Sequence, residues 1–121
     1  MIKVKIFDES FNIDFPNVGQ LIDIESNKLL YSNNAYSSLV LSNSKGANIA
    51  LDLIDSISTF IVLIPNLKKR ISKSIFELSL LEAQEIVKQY KEIYAPWFFE
   101  KLEEINKIQE EWLAKDDKEK K

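Results

Sequence analysis

Residues 47–64, ANIALDLIDSISTFIVLI, form a long apolar stretch that decides the fold of the chain. Apolar side chains recur in it every three or four residues and outline one broad face of a helix: Ile49, Ala50, Leu53, Ile54, Ile57, Phe60, Ile61 and Ile64. A polar strip on the opposite side contains Asp52, Asp55, Ser56 and Thr59, with Leu63 in line with it. A helix this apolar needs neighbours on most of its circumference. The spacing therefore predicts the central helix of a small helical domain.

Length and composition limit the class of protein. A chain of 121 residues has the usual size of one domain, which buries roughly two-thirds of its unfolded surface. The net charge of −3 argues against broad electrostatic binding to nucleic acid or to anionic membranes. The absence of cysteine and histidine excludes disulfides, thiolate or imidazole metal ligands, and nucleophiles of either type.

No segment has the pattern of a targeting signal, because the first residues lack the apolar core and cleavage site of a secretory peptide. The 47–64 segment approaches the ~18 apolar residues that suggest a membrane span. However, Asp52 and Asp55 would each cost about 2.5–3.5 kcal/mol at the centre of such a helix. We therefore expect a soluble protein in which this segment is a core helix.

The N-terminal residues are predicted to form a β-hairpin. Residues 2–7 and 11–15 alternate between apolar and polar side chains, which places Ile2, Val4, Ile6, Phe11, Ile13 and Phe15 on one face. The polar residues 8–10 between them are the expected turn. A two-stranded hairpin is marginal in water by itself, so we expect it to pack on helices or on another copy.

Capping signals predict the helices that follow. Asn17 and Gln20 have the spacing of a capping box for a helix over residues 18–32, and Ser79 and Glu82 have it for a later helix. The first of these helices is expected to bury Val18, Leu21, Ile22 and Leu29. Residues 36–41 can form a short helix, and Pro65 ends or kinks the central one.

Pro96 fits the first turn of a last helix, whose stripe contains Phe98, Leu102, Ile105, Ile108 and Trp112. The predicted fold is mainly α (α+β), with the hairpin followed by four to five helices packed around the 47–64 helix. Residues 1–114 would form a single domain, and residues 115–121, which are all charged, a flexible tail.

No pattern of residues predicts catalysis. Asp52 and Asp55 lie three residues apart and could share a cation, but such pairs are common on solvated faces and no third ligand is in register. The serines have no histidine as a base, and the two isolated glycines cannot form a phosphate-binding loop. We therefore expect no enzymatic activity, no cofactor and no metal.

Contact with another protein is the more informative prediction. Consecutive helical residues are turned by about 100°, so a helix cannot hide Trp97, Phe98 and Phe99 on one face. At least one should stay accessible or be covered by another chain; the alternative is a wedge packed against the hairpin. The cluster Lys68, Lys69 and Arg70 is interpreted mainly as a solvated helix end, with a partner-binding patch as the alternative. These six residues and Leu63 are the candidate partner-binding residues.

Three segments near the C-terminus stand out: LSLLEA at 78–83, YKEIY at 90–94 and APWFFE at 95–100. In these segments, and more broadly over residues 18–100, the chain resembles small tail-assembly (chaperone-like) proteins of long-tailed bacteriophages. The resemblance implies a protein of the host cell cytoplasm that coats the aggregation-prone tape-measure protein while the tail is assembled. It supplies no active-site motif. A small phage-encoded inhibitor of a host protein and a structural virion subunit are the alternatives, and a homo-oligomer is compatible with each.

Overall fold

The computed structural model describes residues 1–70 and 75–119. This part of the chain is mainly helical, with an N-terminal antiparallel hairpin, which confirms the predicted fold class. The strands are β1 (Ile2–Ile6) and β2 (Glu9–Ile13), and the helices are α1 (Val18–Tyr31), α2 (Tyr36–Ser42), α3 (Lys45–Leu63), α4 (Leu67–Arg70), α5 (Leu80–Gln89) and α6 (Ala95–Glu119). A 3₁₀ turn (Ile75–Glu77) precedes α5, and a π-helical turn (Tyr90–Tyr94) joins α5 to α6.

The hairpin pairs Ile2 with Ile13 and Ile6 with Glu9. Its turn consists of Phe7 and Asp8, both in the left-handed region with φ of 49° and 65°. Two-residue turns of this kind match the twist of the strands they connect. The predicted turn at residues 8–10 was therefore displaced and one residue too long, because the sequence here lacks the Asn-Gly signal that marks such turns.

Helix α3 is the centre of the domain, as predicted. It begins after Ser44, whose hydroxyl accepts a 3.1 Å hydrogen bond from the Ala47 N–H. It ends at Ile64, which is extended as expected for a residue before proline. Helices α1, α2, α4 and α5 all contact it. By length and composition α3 could also cross a membrane, a test that core helices of soluble proteins pass as well.

The expected polar strip of α3 is correct for Asp52 and Asp55, which are partly exposed, but wrong for Ser56 and Thr59, which are buried. Five consecutive residues, 56–60, are buried. The Ser56 hydroxyl donates a hydrogen bond to the Asp52 carbonyl oxygen at 2.5 Å, and the Thr59 hydroxyl donates to that of Asp55 at 2.8 Å. Since these hydroxyls find acceptors within the helix, they can be buried without water.

Helix α1 also turns a different face inward than predicted. The Asn17–Gln20 capping box is present, but Val18, Leu21, Ile22 and Leu29 are exposed by 78%, 40%, 60% and 51%. Only Ile24 is buried. The inward face also carries Lys28, whose Nζ lies 3.9 Å from the Asp55 carboxylate of α3. This polar contact favours the observed rotation of α1, which leaves its apolar stripe uncovered.

Helices α5 and α6 follow one another without a break. The capping box of Ser79 and Glu82 starts α5 as predicted. At the π-helical turn the Ala95 N–H bonds to the Tyr90 carbonyl, five residues back. The wider turn accommodates Pro96, which has no N–H for an ordinary helical bond. Helix α6 then continues to Glu119, into the segment predicted as a tail, and Lys120 and Lys121 lie outside the described residues.

Candidate protein-binding surface

An aromatic cluster fastens the start of α6 to the rest of the domain. Phe98 stacks on Phe15, which follows the hairpin, with ring centroids 5.3 Å apart, and on Tyr94 at 5.5 Å. Trp97 meets Phe15 edge to face at 5.6 Å. Tyr94 in turn contacts Phe60 of α3 at 5.9 Å. The cluster therefore connects α6, the hairpin and α3 through one continuous set of rings.

The three consecutive aromatic residues have different environments. Trp97 and Phe98 are partly buried against Phe15, so for these two the wedge packed beside the hairpin is the correct alternative. Phe99 is 59% exposed and touches Phe98 at its edge. The prediction that at least one of the three stays accessible is confirmed, and Phe99 is that residue.

Beyond its first two turns, α6 carries an apolar face that nothing in the described part of the chain covers. Every residue from 103 to 115 is exposed. Ile105, Ile108, Trp112 and Leu113 are exposed by 42%, 49%, 69% and 65%. With Leu102 they continue the helix face on which Phe98 lies, since the spacing from 98 to 112 is four, three, three and four residues. We call Leu102, Ile105, Ile108, Trp112 and Leu113 the α6 stripe.

The opposite face of α6 is charged and mainly acidic. Between residues 99 and 115 the sequence has five glutamates and three lysines, and Lys101 pairs with Glu104 at 3.7 Å. The helix is thus amphipathic, although its apolar side is not packed on the domain. The sequence contains this stripe, but the same periodicity is typical of a core face and of a binding face.

Two other sets of candidate residues are placed differently. Leu63 is 7% exposed, so its expected position on an accessible strip is wrong: the last turn of α3 is enclosed, and Leu63 belongs to the core. In α4, Leu67 is buried and Lys69 is exposed. The side chains of Lys68 and Arg70 lie outside the described residues.

A second apolar surface is a groove between α1, α3 and α5. It has a volume of about 270 Å³ and is lined mainly by Tyr31, Leu53, Ile54, Phe76, Leu78 and Leu80. Phe76 and Leu80 at its rim are 73% and 63% exposed. Among the described side chains that line it, only that of Tyr31 carries a polar group. We call this the α3–α5 groove; sequence reasoning missed it, because its walls come from distant segments.

The two aspartates of α3 do not act as a pair. The Asp52 carboxylate contacts Lys91 Nζ at 3.0 Å, whereas that of Asp55 accepts a 2.6 Å hydrogen bond from the Tyr36 hydroxyl. Burial raises the pKa of Asp55, and the Tyr36 bond and the Lys28 charge oppose this shift. Within residues 1–70 and 75–119, no group of three acidic side chains is arranged to hold a metal ion. These contacts fasten neighbouring elements to α3.

The α6 stripe, the α3–α5 groove and the outer side of α1 are therefore apolar surfaces that the described part of the chain leaves uncovered. Uncovered apolar patches of this kind are typical of protein interaction sites. Comparison of the chain with protein-family models, with curated proteins and with solved structures gives no match.

Proposed function

We propose that the protein works without catalysis, by binding another polypeptide through the α6 stripe. We further propose that this polypeptide is the tape-measure protein of a bacteriophage tail, which the protein keeps from aggregating in the host cytoplasm during assembly. The observation that carries the binding role is the continuous exposure of residues 103–115. The resemblance of residues 18–100 to tail-assembly proteins supports the choice of partner.

The chemistry of the α6 stripe suits a helical partner. A long amphipathic client can lay its own apolar face along the stripe, as helices do in many complexes. Trp112 and Phe99 are the largest exposed side chains on or beside it. Aromatic residues of this kind commonly supply most of the binding energy of an interface. The acidic flank of α6 favours clients whose flanking residues are basic.

The α6 stripe is anchored to the domain at its N-terminal end. Phe98 and Tyr94 lie on the same helix face as the stripe and are packed in the aromatic cluster. A client would therefore meet a helix that is already formed and anchored, so little ordering entropy opposes association.

Binding to purified tape-measure fragments, followed by calorimetry, tests the proposal. Phe99→Gln and Trp112→Gln should each weaken binding about tenfold or more, as expected for interface anchors. The matched control is Leu81→Gln, because Leu81 is 84% exposed and lies outside the stripe. Unchanged affinity of both stripe variants, or no binding by the wild type, would refute the proposal.

Phe98→Ala separates stability from binding. Phe98 packs between Phe15 and Tyr94, so this change should lower the free energy of unfolding by about 2–4 kcal/mol. Phe99→Gln should lower it far less, because Phe99 is mostly exposed. If Phe99→Gln unfolds the domain, Phe99 is a core residue and its assignment to the interface fails.

Two further observations distinguish the alternatives. A tail-assembly chaperone should be absent from purified mature particles, whereas mass spectrometry would detect a virion subunit there. A tape-measure gene directly downstream of the gene for this chain would support the proposal, and a cluster of early anti-defence genes would support an inhibitor of a host protein.

A further inference from the structure

We propose that two copies of the chain pair through β2, so that their two hairpins form one four-stranded antiparallel sheet. The inference does not rest on the proposed function, because β2 and the α6 stripe are separate surfaces and a helical client has no strand to offer. The contact places the same strand of each copy side by side about a two-fold axis, the commonest symmetry of soluble homo-oligomers. It closes on itself and therefore gives a dimer.

The outer edge of β2 carries backbone groups that point away from β1. The turn closes at the pair Ile6 and Glu9, and along an antiparallel ladder the pairs that exchange hydrogen bonds alternate with pairs that do not. Ser10 and Asn12 belong to the second kind, so their N–H and C=O groups point outward. Both residues are exposed, and in the described part of the chain these groups form no hydrogen bond. Such an edge is a template for another strand.

The outer edge of β1, by contrast, is covered. The Lys5 N–H donates a 2.8 Å hydrogen bond to Oε1 of Gln89, and β1 contacts α5 and the π-helical turn. Lys3 and Lys5 also carry charges of the kind that discourage strand pairing. Strand β2 has neither a lysine nor a proline. It is therefore the edge at which the hairpin can be extended.

One register of two β2 strands aligns both their backbone groups and their side chains. With Asn12 of each copy at the axis, Ser10 lies opposite Asp14 of the second copy, the residue that directly follows β2. This register makes two backbone hydrogen bonds at the axis and two on each side of it. On the face that packs on the helices, Phe11 lies opposite Ile13 of the second copy. Pairs of an aromatic and a β-branched residue stabilise a sheet.

Charge selects a second copy as the occupant of this edge. Lys5 lies opposite Ser10 within the hairpin, so in the dimer it is two strand spacings, about 10 Å, from Asp14 of the second copy. The long lysine side chain can cross the small serine between them. Lys5 and Asp14 are both exposed, and neither forms an ion pair among residues 1–70 and 75–119. The axis repeats this contact, and no like charges lie directly opposite each other.

Sedimentation velocity over a range of protein concentrations tests the association, and the wild type should dimerise as concentration rises. Asn12→Pro removes the N–H at the axis but no bond of the hairpin, since that N–H points away from β1. It should lower the association constant about tenfold or more. The matched control is Lys3→Pro, because Lys3 lies opposite Asn12 and its N–H points to the other edge. Circular dichroism checks that both variants are folded, and Lys3→Pro should dimerise as the wild type does.

Charge reversal gives a test that leaves the backbone unchanged. Lys5→Glu and Asp14→Lys each bring like charges together at both contacts, so each should weaken the dimer about threefold or more. Both positions are exposed, which keeps the effect on folding small. The double variant restores opposite charges and should recover the association of the wild type. A double variant weaker than both single variants overturns the proposal.

A disulfide reports the register directly, because the chain has no cysteine of its own. The Cα atoms of a hydrogen-bonded pair are about 5.5 Å apart, which a disulfide can span. Asn12→Cys should therefore give a disulfide-linked dimer under mild oxidation. Ser10→Cys is the control: it is likewise exposed on the same face, but its two thiols would lie four residues apart along the strands, about 14 Å.

Three results would each overturn the proposed dimer. The first is a wild type that stays monomeric at every concentration. The second is Asn12→Pro dimerising as tightly as Lys3→Pro, and the third is Ser10→Cys cross-linking as readily as Asn12→Cys. None of these measurements uses a client, so their outcome is separate from that of the proposed function.

Discussion

The Tyr36 hydroxyl donates a 2.6 Å hydrogen bond to Oδ1 of Asp55 and thereby joins α2 to α3. Lys28 of α1 reaches the same pair, with its Nζ 3.9 Å from that oxygen and 5.8 Å from the centre of the Tyr36 ring. Helix α2 has no buried residue. The Tyr36–Asp55 bond is therefore its most specific attachment to the domain.

Tyr36→Phe should lower the free energy of unfolding by about 1–3 kcal/mol, because it removes a hydrogen bond to a partly buried carboxylate. Urea unfolding measures the change. Tyr31→Phe is the matched control, since the Tyr31 hydroxyl makes no hydrogen bond within the described part of the chain. Equal losses from both variants would show that the Tyr36–Asp55 bond contributes little.

The stability of the protein should depend on pH through Asp55. Burial raises the pKa of Asp55 above its ordinary value of 3.8, so the folded state holds this proton more tightly than the unfolded state. The stabilising contribution is complete below pH 3.8 and is lost as pH rises through the folded pKa.

Asp55→Asn should remove this dependence while its amide oxygen still accepts the Tyr36 bond. The substitution also removes the charge beside Lys28, which shifts the free energy of unfolding by a constant amount. The informative quantity is therefore the slope of the free-energy difference between variant and wild type against pH. The stability of Asp55→Asn relative to the wild type should increase from acid to neutral pH and then level off. A difference that stays constant across this range would contradict the raised pKa.

Alkaline pH should unfold the domain cooperatively. Burial raises the pKa of Tyr90 to about 12, with the Asp55 charge adding to the shift, and burial also raises the pKa of Tyr31, Tyr36 and Tyr94. These are all four tyrosines of the chain. The tyrosine hydroxyls of the unfolded chain ionise near pH 10. The stability that these tyrosines contribute is therefore complete below pH 10 and declines as the pH rises towards 12.

Between pH 10 and 12, the partly buried Tyr90 alone should lower the free energy of unfolding by about 1.4 kcal/mol for each pH unit. Phenolate absorbance and circular dichroism followed in one titration measure it. We expect both signals to change in the same transition above pH 10. Ionisation of all four tyrosines near pH 10 without loss of helix would show that their hydroxyls are solvated.

The buried Ser58 offers a stabilising substitution. Its Oγ has no hydrogen-bond partner among the described residues, which costs free energy in a dry site. Ser58→Ala should raise the free energy of unfolding by about 1 kcal/mol. Ser56→Ala is the matched control, because the Ser56 hydroxyl is bonded to the Asp52 carbonyl and both changes gain the same helix propensity. If thermal unfolding shows Ser56→Ala to be the more stable variant, Ser58 has an acceptor after all.

Local signals in the sequence predicted most of the helix starts and stops. Asn17 and Ser79 cap the helices for which they were proposed, and α3 ends before Pro65. Each of these signals acts through atoms within four residues, so it operates independently of the rest of the fold. The hairpin is equally local, but its two-residue turn escaped prediction, so β2 lies at Glu9–Ile13 rather than at the predicted residues 11–15.

The exposure of each helix face was decided by tertiary structure. Periodicity alone identified the apolar stripe of α1, yet contacts of Lys28 and Tyr31 with distant residues turned that stripe outward. Likewise, the apolar periodicity of α6 would be the same whether its apolar face were buried in the core or exposed to solvent. By itself the sequence determined which segments are helical and where they begin, because backbone hydrogen bonds and caps are short-range. Which face is buried depends on side chains far apart in the chain, and only the packed structure brings those together.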